Sequence, residues 1–318
     1  VNITGKGVQG LNTAENDNGY FYGQAFVTGN LRMHGPLKNM TFDMHLKSEE
    51  NTRIILTTYT PSNIGQNNFI RFVSKKDKTS AKQQTEYVKG IILNLDMDIT
   101  PAAQCVIIFD PKLDDVIKGY GKGNIKLELD YFGNLNIYGS YIIETGDYTF
   151  TALDVIKRHF QVKSGGTITW KGDPYEADVN IEATYDVNAS VYDLVSSDVL
   201  TPEEKDAYRQ NFPVKAKIFL TESLFLPIVK LDFDVLNTRT LSGSNINVLD
   251  QKIRYIKNDE QELNKQVISL LVMHRFLPVT TGIQPDQVST DIYYNSASAL
   301  ISSQINSWLS QISETLDT

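Results

Sequence analysis

The chain has one cysteine, two tryptophans and four histidines in 318 residues. A lone Cys105 excludes an internal disulfide and any thiolate metal cluster. It sits in Cys105-Val-Ile-Ile-Phe109, which reads as buried strand, and it leaves the compartment open. His34, His45, His159 and His274 are scattered without metal-ligand spacing, so no metal site is expected. Basic clusters are scarce. The densest, Lys75-Lys76-Asp77-Lys78 with Lys82, is broken by an acid and lies among Ser, Thr and Gln. With a net charge of -8, the chain lacks the basic face that nucleic acid requires. No apolar run approaches the roughly 18–20 residues of a membrane span. No signal peptide is visible. The chain opens at Val1 in strand-like sequence and reads as a mature form or a piece of something longer.

Catalytic constellations are missing as well. Gly119-Tyr-Gly121-Lys-Gly123 has the glycines of a phosphate loop but precedes a strand, not a helix, so a turn is expected there. Asp114-Asp115 and Glu203-Glu204 fall in turn-like or helix-start sequence, and Asp96 and Asp98 share a polar strand face with Asn94. No Ser/His/Asp arrangement can be read from the spacing. The chain is expected to be no enzyme and to need no cofactor.

What the sequence does contain is alternation. Met40, Phe42, Met44 and Leu46 alternate with Thr41, Asp43 and His45, after a first strand Phe21–Met33 with a turn or bulge expected at Gly29-Asn30. Thr52–Tyr59 and Phe69–Val73 are shorter candidates, flanked by polar loops at 60–68 and 74–86. Leu93, Leu95, Met97 and Ile99 repeat the period of two within Val88–Thr100. Ile125, Leu127, Leu129 and Tyr131 do so again, then Gly133-Asn134 turns the chain into Leu135–Ile143, and a further turn is read at Gly146-Asp147. Val179, Ile181, Ala183 and Tyr185 share one face of a long strand, as do Val214, Ala216 and Ile218, and Val229, Leu231 and Phe233. Thr201-Pro202-Glu203-Glu204 starts a short acidic helix or loop, and 236–247 reads as a polar loop. Asn258-Asp259 caps a helix over Glu260–Phe276, and Ala297–Leu316 has helical spacing.

The expected fold is mostly β: a long antiparallel sheet over 1–245, followed by a C-terminal helical segment over 246–318 that docks on the sheet or on a partner. Every apolar face needs a cover. Two late helices cannot cover a sheet of roughly a dozen strands. The sheet therefore closes as a sandwich or barrel, curls into a trough, or holds apolar ligands. Strands of about ten residues exceed the usual five or six and favour a long curled sheet.

Ordered motifs occur between 124 and 185. They are Gly139-Ser-Tyr141-Ile-Ile-Glu144-Thr-Gly146-Asp-Tyr148-Thr-Phe150, then Phe160-Gln-Val162-Lys-Ser-Gly165-Gly166-Thr-Ile168-Thr-Trp170-Lys-Gly172-Asp173-Pro174, then Ala177 through Ala183-Thr-Tyr185. Leu263-Asn-Lys-Gln266-Val-Ile-Ser269-Leu270-Leu271 follows later. Together these resemble the C-terminal domain of the TamB family, of a Bacteroidetes type. The resemblance implies a β-taco, a trough with an apolar interior, in the periplasm of a diderm bacterium. It implies an inner-membrane anchor outside this chain, reach to the outer membrane, and an outer-membrane barrel of the TamA/BamA family as partner. It further implies transport of phospholipid acyl chains, or alternatively assembly of outer-membrane proteins by β-augmentation. On the acyl-chain reading the groove is lined by Leu127, Leu129 and Tyr131, by Val179, Ile181, Ala183 and Tyr185, by Val214, Ala216 and Ile218, and by Val229, Leu231 and Phe233.

Overall fold

The structure, a computed structural model, describes residues 1–17, 21–36, 39–58, 91–110, 112–152, 156–195 and 200–279. Its strands are β1 (Asn2–Thr13), β2 (Phe21–His34), β3 (Met40–Ser48), β4 (Arg53–Thr57), β5 (Ile91–Ile99), β6 (Gln104–Asp110), β7 (Asp115–Leu129), β8 (Leu135–Ala152), β9 (Ile156–Val162), β10 (Thr167–Gly172), β11 (Asp178–Ser190), β12 (Asn211–Ser223) and β13 (Pro227–Val235). The helices are α1 (Tyr192–Val195), α2 (Pro202–Arg209), α3 (Gly243–Lys257) and α4 (Glu260–Met273). The mostly-β expectation with late helices holds. Phe69–Val73, the loops at 60–68 and 74–86, and the helix expected over 297–316 lie outside the described residues.

Two compact units interleave along the sequence. The first comprises Val1–Gly146, Lys163–Ile181 and Thr221–Ile228. The second comprises Asp147–Val162, Glu182–Leu220 and Val229–Thr318.

In the first unit β2 pairs with β1 and β3, and β7 with β5, all antiparallel. β3 and β5 run parallel, as do β4 and β6, two parallel pairings within a sheet expected to be mostly antiparallel. β3 and β4 are two halves of one path along β2. Val27 faces Ser48 and Gln24 faces Arg53, so three steps on β2 match five on its partner. The next path has the same excess, since Ile99 faces Gly123 and Gln104 faces Tyr120. The two bulges are aligned, because Lys47 pairs with Asp98 and Arg53 with Gln104. An excess of two residues restores the pleat, so apolar side chains stay on one face through the bulge. An excess of one would have reversed them.

The bulge has its own hydrogen bonds. Phe26 faces it, and while its C=O keeps Glu49 N–H at 2.8 Å, its N–H would lose its backbone acceptor. The hydroxyl of Thr52, itself buried, accepts from Phe26 N–H at 3.0 Å and donates to Phe26 C=O at 3.0 Å. Across the second path the Ser48 hydroxyl accepts from Thr100 N–H at 2.8 Å, and the Thr100 hydroxyl donates to Ser48 C=O at 3.0 Å. Asn51 takes a left-handed conformation, φ 65°, to close the extra turn.

Two expected turns prove to be strand interiors. At Gly29-Asn30, where a turn or bulge is expected, β2 continues and the irregularity falls on the opposing β1, between Gly5 and Val8. Gly146-Asp147 lies within β8. Gly119–Gly123 lies within β7, against β8. A Cβ on Gly121 would sit 2.1 Å from Ile142 C=O and 2.9 Å from the Tyr141 ring. These glycines are spaced by two because one strand face there meets a neighbour's backbone and a large ring, not because the chain turns.

In the second unit the sheet's apolar face is covered. Ala183, Val214, Ala216, Ile218 and Phe233 are at most 1% exposed, as are Leu249 and Ile256 of α3 and Val267, Ile268, Leu270 and Leu271 of α4. The Phe276 and Phe233 rings lie 5.1 Å apart, and Arg158 of β9 donates to Leu271 C=O. α2 starts as its sequence predicts, with Thr201 and Glu204 in a reciprocal cap and Pro202 at the first position. α4 starts on Asp259 and ends on left-handed His274. The expected polar loop at 236–247 is corrected to a short 3-10 turn (Thr238–Thr240) and the start of α3, capped by Ser242.

Candidate functional site

Among the described residues of the first unit, the apolar face of β2, β3, β5 and β7 has no cover of comparable completeness. Register places its side chains in rows. Met33 pairs with Phe42, Phe42 with Leu93, and Leu93 with Leu129. The next row is Leu31, Met44, Leu95 and Leu127, and the third is Gly29, Leu46, Met97 and Ile125. All these apolar side chains are half-buried. At about 4.8 Å between strands, the lattice spans about 14 Å across four strands. Beyond the bulge the same face closes, with Leu56, Ile107 and Ile117 buried. Half-burial of so many large side chains in register is the property that separates this patch from an ordinary core.

The reverse face of the same strands is a polar ladder. Asp43 receives Asn94 Nδ2 at 2.8 Å and pairs with His34 Nε2 at 2.9 Å, and these bonds hold its carboxyl below the ordinary range. Asn124 Nδ2 bridges Asp96 and Asp98 at 2.7 and 3.0 Å, and Lys126 pairs with Glu128 at 2.9 Å. The ladder explains Asp96 and Asp98 as strand partners that keep this face wet. Among the described residues no group of three or more His, Cys, Asp or Glu side chains is placed to hold a metal. No described helix is long and apolar enough to cross a membrane. Burial pushes the Cys105 thiol up to about 12, which suppresses thiolate chemistry.

The residues named from sequence as groove lining fall into distinct settings. Leu127 and Leu129 belong to the half-buried lattice, and Tyr131 follows it in the β7–β8 loop, 40% exposed. Val179 and Ile181, also in the first unit, are buried at 3% and 1%. Ala183, Val214, Ala216, Ile218 and Phe233 are enclosed in the second unit. In that unit Leu231 is 8% exposed, Tyr185 is half-buried and bonds His274 at 3.2 Å, and Val229 is exposed. The register brings Leu127 and Leu129 together with Phe42, Met44, Leu93 and Leu95, which sequence reasoning read as strand residues but not as lining. Their period of two was visible. The parallel pairing that aligns them was not.

The fold and this face define a class: a predominantly β protein whose distinctive surface is an apolar sheet face in register. The family model of the TamB C-terminal domain matches residues 1–318, and the chain belongs to the TamB family. No curated protein matches it. Membership carries an envelope setting, a structural or transport role in the context of outer-membrane assembly or lipid transport, and TamA as the family's partner in the assembly module.

Proposed function

We propose that the half-buried lattice of the first unit shields phospholipid acyl chains, within a periplasmic bridge that delivers them toward an outer-membrane barrel of the TamA/BamA family. The observation that carries this reading is the in-register set Leu31, Met44, Leu95 and Leu127 with its neighbouring rows. Each acyl CH₂ taken from water gains about 0.8 kcal/mol, so a partly covered chain is held by several kcal/mol. Such contacts are non-directional, and a chain can slide from row to row without meeting a deep well. The enclosed residues of the second unit (Ala183, Val214, Ala216, Ile218, Phe233) would act as core and not as lining.

The alternative, capture of client strands by β-augmentation, would use an edge such as β1. That strand carries two register shifts, Lys6 and left-handed Gly7, features that disfavour pairing with an incoming strand. The test is mass spectrometry of lipid extracted from purified protein, for wild type and Leu95→Lys, each checked for fold by circular dichroism. Wild type should carry phospholipid and folded Leu95→Lys much less. Folded wild type without lipid, or a folded variant that carries as much, refutes the reading.

A further inference from the structure

Large apolar side chains also stand exposed on loops, and three such loops lie together at one end of the first unit's sheet. The β7–β8 loop carries Tyr131 and Phe132, the latter 74% exposed. The β10–β11 loop carries Tyr175, 55% exposed, and the β12–β13 loop carries Phe225 with Leu226, 60% exposed. Pairing puts them side by side. Gly172, where β10 ends, faces Ile137 at the start of β8. Leu224 N–H bonds Ala177 C=O at 2.7 Å, and the Tyr175 and Phe225 rings lie 5.2 Å apart.

The loops share a construction. In each, a polar side chain accepts the backbone N–H of an aromatic residue two positions on: Asp130 from Phe132 at 2.8 Å, Asp173 from Tyr175 at 2.9 Å, and Ser223 from Phe225 at 3.3 Å. Asp130 also receives Asn134 N–H and Asn134 Nδ2. Scattered exposed apolar residues need no explanation. Aromatic and leucine tips on three adjacent loops, each braced by a side-chain bond, form a surface that bulk water penalises. Phe and Leu bring apolar area, and Tyr brings a ring with a polar end, the mixture suited to the boundary of a bilayer.

We infer that this loop end is a docking surface for a phospholipid bilayer, with Phe132, Tyr175 and Leu226 entering the interfacial layer. The first row of the lattice, with Leu93 and Leu129, lies at the same end, since Asp130 follows Leu129 directly. Docking there would bring the lattice to the membrane from which acyl chains enter or into which they leave. For that consequence the inference rests on the acyl-chain reading. Charge narrows the lipid. The loops and their flanks carry Asp130, Asp173, Glu176 and Glu222, while Lys171 is paired with Asp178 and Lys126 with Glu128. No free cationic ring is offered to anionic headgroups among these residues, so the surface fits a zwitterionic bilayer.

The experiment is flotation of the chain with vesicles of phosphatidylcholine, alone and mixed with phosphatidylglycerol, at low and high salt. Wild type should float with phosphatidylcholine alone, with little dependence on salt. The exposed-site variant Phe132→Ala/Tyr175→Ala/Leu226→Ala should bind about tenfold more weakly or worse while keeping wild-type circular dichroism. Phe132→Trp should shift its emission to the blue on vesicles and be quenched by brominated phosphatidylcholine. Wild type that does not float, flotation that requires phosphatidylglycerol and falls with salt, or a triple variant that floats as well as wild type each overturns the inference. Leu95→Lys separates the two proposals. If it loses extracted lipid yet still floats, loops and lattice act as argued. If it ceases to float while the loop variant floats, the lattice itself meets the bilayer and the loop inference falls, with the acyl-chain reading intact.

Discussion

Thr52 is where a single atom has the largest predictable effect. Its hydroxyl replaces the backbone acceptor that the bulge takes from Phe26 N–H and adds a second donor to Phe26 C=O, at 3.0 Å in each direction. Thr52→Val keeps the shape and removes both. Phe26 C=O retains Glu49 N–H at 2.8 Å, whereas Phe26 N–H loses the acceptor that the hydroxyl supplies. The residue is 4% exposed, so water cannot enter without distortion. One net hydrogen bond of about 1 kcal/mol plus about 1–3 kcal/mol for a buried donor without partner gives a loss of about 2–4 kcal/mol. Thr52→Ser keeps the hydroxyl and should lose less than about 1 kcal/mol. Urea unfolding of the two variants measures the difference, and amide exchange at Phe26 localises it. Exchange there should accelerate by roughly 30-fold or more in Thr52→Val and little in Thr52→Ser. If Thr52→Val unfolds at the wild-type urea concentration with Phe26 still protected, the bulge is held by something other than the hydroxyl.

Gly121→Ala should prevent folding of the first unit or cost more than about 3 kcal/mol, because its Cβ would strike Ile142 C=O. Gly243→Ala, at the first position of α3 with nothing within 4 Å, should be neutral or stabilising by up to about 1 kcal/mol; thermal unfolding of the pair checks both. On β13, burial raises the Asp234 carboxyl, but Lys217 and Lys257 outweigh burial and hold it below the ordinary range. A depressed carboxyl stabilises above its unfolded value near about 4, and that contribution is lost as pH falls through the lower folded value. Asp234→Asn should therefore cost about 1 kcal/mol at neutral pH and progressively less on acidification, read from urea midpoints across pH; a constant difference refutes the assignment.

The period of two made the strands legible, and the caps at Thr201 and Asp259 made α2 and α4 legible. Two glycine motifs, at 119–123 and at 146–147, misled for one reason. A glycine in a strand records how close a neighbouring backbone comes, and sequence cannot distinguish that from a turn. Parallel pairing of β3 with β5 was hidden because alternation fixes which face a residue takes but not which strand lies beside it. That loss mattered for the candidate site. Without the register, Phe42, Met44, Leu93 and Leu95 belong to separate strands, and with it they adjoin Leu127 and Leu129 in one surface. The start of α3 was hidden because Ser242-Gly-Ser-Asn-Ile-Asn247 is turn-like in composition, while its buried residues Leu249 and Ile256 lie further on.

The motif Leu263, Gln266, Ser269, Leu270 and Leu271 shows why the second unit's face should be closed to ligand. Gln266 is fully buried in α4. Its amide donates to Leu277 C=O at 2.9 Å and accepts Leu277 N–H at 2.9 Å, pairing with the backbone as a neighbouring strand would. Ser269 donates to Arg275 C=O at 2.7 Å, and Arg275 reaches Asp193 of α1 at 3.2 Å. The chain after α4 is thereby turned back with Phe276 on Phe233 and Leu277 buried. Opening this face would strand both Gln266 and the Leu277 peptide groups away from their partners, at a cost of about 1–3 kcal/mol for each buried group left unpaired, in addition to the exposed apolar area. An acyl chain could regain the area term but none of the polar one. Any apolar ligand should therefore choose the half-buried lattice of the first unit, where no hydrogen bond among the described residues has to break to admit it.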